Sequence, residues 1–130
     1  MHQPIWLHNY VMTRWAAKMY SEIDAQGLLL QAVSTVTDNW NDLAPDLVIF
    51  DKNHNLLMAM EITSHRGLRK NINKCLSLYE RFPNTEYFVY DYNKEVLYMF
   101  DSESGGWLSS VDYELMSQYL CKPLLNYLYD

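Results

Sequence analysis

The chain has 130 residues and a mass of 15.4 kDa, with 49% apolar and 20% charged residues. That is enough apolar material for a single packed domain over 1–130, and it argues against global disorder. Ten Lys and Arg stand against sixteen Asp and Glu, a formal net charge of −6, which excludes coating of nucleic acid by bulk positive charge and leaves a local basic patch as the only such option.

From Asn9 to Gln26 the apolar residues Val11, Met12, Trp15, Met19 and Ile23 recur at helical spacing, the stripe of an amphipathic helix. Gly27 stands where a left-handed cap closes such a helix. Leu28 to Val36, aliphatic and β-branched, is expected to form a strand, and the polar stretch Thr37 to Asp42 a loop. Asp46 to Asp51 and Leu56 to Thr63 are apolar at successive positions, as in strands covered on both faces, and Lys52-Asn53-His54-Asn55 between them are turn residues. Ser64 is placed to cap a helix from Arg66 to Phe82, with Leu68, Ile72, Cys75, Leu76 and Tyr79 as its core stripe and Pro83-Asn84 as its end.

Three short strands are expected next: Glu86 to Asp91, Lys94 to Phe100 after a turn at Tyr92-Asn93, and Trp107 to Ser109 after Gly105-Gly106. The aromatic tail from Tyr113 to Asp130 is broken by Pro123 and reads as an extended piece followed by a helical turn. The order of helices and strands implies an α/β or α+β fold around one mixed sheet. No run reaches the ~20 apolar residues of a membrane span. The start Met1-His2-Gln3-Pro4 lacks the basic and apolar segments of a secretory signal. The two isolated cysteines, Cys75 and Cys121, suit a reducing cytoplasm better than a disulfide framework.

The central hairpin carries the chemistry. If it closes with Asp51 opposite Leu56, Asp46 faces Glu61, and the pair shares a face with Val48, Phe50, Leu57 and Ala59. Directly opposed residues have Cβ atoms about 4.5–5.5 Å apart. Two like charges at the end of an apolar hairpin repel, and neither has a basic neighbour in sequence. A hard divalent cation would offset that repulsion, since carboxylates and a backbone carbonyl are what Mg²⁺ accepts. The other reading is that both acids reach solvent at strand ends, and a one-residue slip of register would separate them.

No Asp or Glu occurs between Ile62 and Tyr79, while Arg66, Arg69, Lys70 and Lys74, four of the ten cationic residues, fall there. Lys70 and Lys74 share a helical face. Acidic metal ligands followed by a basic helix suit phosphodiester hydrolysis, in which a lysine stabilises phosphoryl charge. An ordinary solvated helix face would show the same lysines.

Pro45-Asp46-Leu-Val-Ile, Met60-Glu61-Ile-Thr-Ser64, Lys74 and Tyr79 on a helix, and Glu86-Tyr87-Phe-Val-Tyr-Asp91 resemble the PD-(D/E)XK nuclease superfamily, and within it the Uma-type candidate endonucleases. The likeness spans His8 to Phe100. It implies a restriction-endonuclease-like mixed central sheet flanked by helices, with Mg²⁺ or Mn²⁺ as cofactor and DNA as partner. Asp46 and Glu61 would hold the metal with the carbonyl of Ile62. Thr63 stands where the superfamily often has lysine, and the Uma-type group uses a helix lysine instead. Lys74 matches that lysine if one residue is lost before it and one gained after; otherwise Cys75 falls there, and Lys70 is the reserve. His8 matches a histidine near the start of the group's first helix, or is a core-edge histidine bonded to backbone.

Among the remaining candidates, Glu22 is read as a surface helix acid, with approach to a metal as its alternative. Asp51 and His54 are read as turn residues. The four histidines (His2, His8, His54 and His65) show no paired ligand spacing, so zinc is not expected. Tyr87, Tyr90, Tyr92, Tyr98, Tyr127 and Tyr129 suit a core or a homodimer interface better than base stacking. The sequence thus supports a Mg²⁺-dependent endonuclease first. A nuclease-fold domain without activity, serving binding or assembly, is the alternative, and an unrelated α/β protein the third.

Overall fold

The computed structural model describes residues 5–32 and 44–129. The first helix, α1 (Ile5–Ala25), buries Val11, Met12, Trp15, Met19 and Ile23, the stripe expected from the sequence. It ends at Gly27, whose φ of +75° is open to glycine at little cost. Strand β1 (Leu29–Ala32) follows; the remainder of the expected strand to Val36, and the loop after it, lie outside the described residues.

The hairpin β2 (Leu47–Phe50) and β3 (Leu56–Thr63) leads into a 3₁₀ turn over His65–Gly67 and then α2 (Leu68–Arg81). The helix is preceded by that turn rather than starting at Arg66, and Ser64 makes no side-chain cap. Strands β4 (Glu86–Asp91), β5 (Val96–Asp101) and β6 (Gly106–Ser109) and the short helix α3 (Leu124–Tyr129) complete the chain. β5 begins two residues later than expected because the turn runs on to Glu95, which takes a φ of 56°.

The strands form one mixed sheet in the order β1-β2-β3-β4-β5-β6, antiparallel throughout except between β3 and β4. The parallel pair is the one joined through α2, since parallel neighbours need a crossover. The architecture is therefore α+β, with a mixed central sheet flanked by helices. One face of the sheet packs Met58, Met60, Ile62, Phe88 and Tyr90 against α1 and α3; the other packs Val48, Ala59, Tyr87 and Val89 against Cys75 and Leu78 of α2. Leu78, absent from the expected stripe, is fully buried, whereas Leu76 is half-buried.

Leu47, Val48 and Ile49 pair with Met60, Ala59 and Met58, the register read from the sequence, but Phe50 then pairs with Leu56. A bulge at this point corrects the expected Asp51–Leu56 closure. The extra residue reverses the alternation, so Leu57 packs on the α1 face and Leu56 takes the place expected for it beneath α2. Asp51 shapes the turn by accepting from the backbone of Asn53 and Asn55 and from the Asn55 side chain.

The tail is fastened rather than free. Trp15 donates to the Leu124 carbonyl at 2.9 Å, Tyr127 donates to Glu22 at 2.6 Å, and Ser117 donates to Glu86 at 2.6 Å. Among the described residues, no helix is long and apolar enough to cross a membrane.

Candidate active site

Beyond Leu47 and Met60 the hairpin continues to Asp46, whose N–H donates to the Met60 carbonyl at 3.1 Å. Asp46 Oδ2 accepts from the Ile62 N–H at 2.8 Å and lies 3.0 Å from Nε2 of His8 on α1. The alternation that sends Met60 and Ile62 to one face sends Glu61 to the other, under α2, where it is 1% exposed. Lys74, on the first half of α2, brings Nζ within 2.8 Å of Glu61 Oε2 and donates to the Ala44 carbonyl at 2.7 Å.

Glu61 Oε2 thus has Lys74 as its buried ion-pair partner, and Asp46 acts on the same carboxyl. The carboxyl is pushed up to about 8, first by burial and then by the charge of Asp46, with Lys74 opposing both. The His8 ring is raised above its ordinary value by its hydrogen bond to Asp46, against a lowering by burial. The Cys75 thiol, next to Lys74 but buried in the α2 core, is pushed up by burial and by the Glu61 charge. It is a packing residue.

Charge balance comes from within the chain, through His8 at Asp46 and Lys74 at Glu61, because folding brings helices from both layers to one strand end. The Ile62 N–H points to the edge occupied by Asp46, and the N–H and C=O of one strand residue share an edge, so its carbonyl faces that edge too. Thr63 is buried, its Oγ1 donating to the Ser64 carbonyl. Gly67 lies over it so closely that an added Cβ would stand 2.4 Å from Oγ1. A lysine at 63 has no room under that turn.

Arg66, Arg69 and Lys70 are exposed and join no ion pair among the described residues, whereas Lys74, the fourth cation of that stretch, is turned to Glu61. Glu22 is away from the acids, holding the tail. Tyr79 packs its ring against Phe100 and Tyr87. Among the described residues, no group of three or more His, Cys, Asp or Glu is arranged to hold a metal. His2 lies outside the described residues.

Sequence reasoning did not find a second polar constellation. His65 Nδ1 lies 2.6 Å from Oδ2 of Asp91, which is fully buried at the end of β4. The two residues are far apart in the chain and belong to different elements, and no local pattern marks the pair.

No protein-family model matches the chain, and no curated protein matches it in sequence. In three dimensions it is similar to a protein from Anabaena variabilis ATCC 29413 described as a nuclease candidate belonging to DUF820. The TM-score is 0.62 at 12% identity, over 99% of this chain and 83% of that one. The likeness is one of fold.

Proposed function

We propose that the protein is a Mg²⁺- or Mn²⁺-dependent endonuclease of PD-(D/E)XK type, closest to the Uma-type group, that hydrolyses DNA phosphodiester bonds. The observation that carries this reading is the buried Glu61 carboxyl, brought next to Asp46 at the end of the hairpin with Lys74 beside it. The donors fit a hard cation. Asp46, Glu61 and the Ile62 carbonyl would hold it, and Mg²⁺ binds through one or two carboxylates while keeping several waters. The bound ion would polarise a phosphoryl oxygen and acidify the attacking water.

The chain's own residues then have defined tasks. His8 and the Ile62 N–H both hold Oδ2 of Asp46, which fixes the carboxylate. Lys74, fixed by the Ala44 carbonyl, keeps an ammonium beside Glu61 where phosphoryl charge would develop. Lys70, exposed one turn earlier on α2, would contact the DNA backbone rather than the reacting phosphate. Support from outside the chain is the shared fold with a nuclease candidate.

Calorimetry tests the reading: Mg²⁺ or Mn²⁺ should bind the wild type and not Asp46→Ala, and undiminished binding by the variant would remove it. One observation favours the inactive binding or assembly module, namely that Lys74, held by the Ala44 carbonyl, already offsets the charge of Glu61. Plasmid nicking with Mn²⁺ separates the two, because an inactive module would be indistinguishable from its Glu61→Ala variant.

A further inference from the structure

Thr63 pairs in parallel with Asp91, and Glu61 with Val89. Opposed residues of neighbouring strands point to the same side, so Asp91 shares the α2 face with Glu61. Strand spacing puts their Cα atoms about 8 Å apart. Asp91 is 0% exposed, whereas the side chain of its partner His65 is 56% exposed. A buried carboxylate therefore holds one ring nitrogen of an imidazole whose other nitrogen faces outward, at the C-terminal edge where β3 and β4 both end.

The pair is held rigidly. Asp91 Oδ1 accepts the backbone N–H of Asn93 at 3.0 Å and of Lys94 at 3.1 Å, leaving Oδ2 for His65. The His65 N–H donates to Asn93 Oδ1 at 2.7 Å, and the Tyr92 N–H donates to the Thr63 carbonyl at 3.0 Å. The β4–β5 turn thus braces the 3₁₀ turn from several directions. A carboxylate can only accept, so Nδ1 carries the hydrogen in this contact and Nε2 is the free position. His65 also opens the basic stretch, with exposed Arg66, Arg69 and Lys70 after it.

We propose that His65, oriented by Asp91, is a further catalytic residue that protonates the leaving oxygen of the phosphodiester; this rests on the nuclease reading above. A water oxygen bonds to phosphorus and loses a proton to solvent as the bond from phosphorus to the leaving oxygen breaks. The leaving oxygen takes a proton from Nε2 of the imidazolium, and the neutral ring regains one from solvent. Diester and water become monoester and alcohol.

The test compares ordinary DNA with DNA in which the bridging leaving oxygen is sulfur, made in both the 3′ and 5′ versions, since a thiolate leaves without a proton. His65→Asn keeps a donor near the Nδ1 position for Asp91 and removes Nε2. The variant should lose on the order of 10²–10⁴-fold with ordinary DNA and return to within about tenfold of the wild type with one sulfur version. Equal losses on all substrates would make the pair a structural clasp and overturn the proposal, as would no loss at all. Asp91→Asn, which misaligns the ring, should show the same rescue at a smaller loss. A wild type that cleaves none of these substrates fails the nuclease reading itself, and the proposal with it; a wild type that cleaves with no rescue of His65→Asn fails the proposal alone.

Discussion

Nζ of Lys74 stands 2.8 Å from Oε2 of Glu61, an ion pair with one partner 1% exposed and the other anchored to the Ala44 carbonyl. Removing one partner of a buried pair is expensive because the other charge is left uncompensated. Lys74→Met should destabilise the fold by about 1–3 kcal/mol at pH 9, where the wild-type Glu61 carboxyl is mostly ionised, measured by urea unfolding. At pH 5, below the value of about 8 to which the Glu61 carboxyl is raised, the loss should shrink, since a neutral carboxyl tolerates burial. Lys70→Met should stay within about 0.5 kcal/mol at both pH values, as for other exposed positions.

Stability itself should fall as pH rises. Glu61 has a folded value of about 8 against an ordinary 4.5, so between those values the native state binds more protons than the unfolded chain. Stability then decreases with pH, with a slope approaching about 1.4 kcal/mol per pH unit. His8, raised above 6.5 by Asp46, acts in the same sense. Its contribution is complete below its ordinary value and is lost as pH rises through the raised one. Urea midpoints at several pH values without divalent ions should show this trend, and Glu61→Gln should flatten it. A wild type that gains stability from pH 5 to pH 8 would contradict the assignment of a raised carboxyl to Glu61.

Magnesium should reverse that trend. Ligation requires the ionised carboxylate, so the ion's stabilising effect should grow with pH. At about a hundredfold excess over Kd the gain is about 2.7 kcal/mol, read as a rise in Tm. Asp46→Ala should abolish this response to Mg²⁺.

Gly67 and Thr63 offer a test of packing. A Cβ at position 67 would meet Thr63 Oγ1 at 2.4 Å, so Gly67→Ala should cost about 1–3 kcal/mol by overpacking. In the Thr63→Ala background the obstructing hydroxyl is gone, and the same substitution should cost at least about 0.5 kcal/mol less. Equal costs in the two backgrounds would place the strain elsewhere.

Much of the architecture was legible because its determinants are local. The stripe Val11, Met12, Trp15, Met19 and Ile23 is a helical period and became the buried face of α1. The run Leu56 to Thr63 became β3 with the same ends. The hairpin register at the acid end held because alternation and turn length are written within a few residues. Its turn end did not hold. A bulge depends on how Asp51 and Asn55 bond, and composition does not announce it.

The amino-acid order by itself determined the element types, the hairpin that brings Asp46 to Glu61, and the basic stretch that follows. The tertiary structure alone decided that Lys74 rather than Lys70 meets Glu61, that His8 meets Asp46, and that His65 meets Asp91. Pattern reports which face a side chain occupies along its own element. Which side chains from separate helices and strands converge, and how far burial shifts a carboxyl, follows from packing whole layers against one sheet.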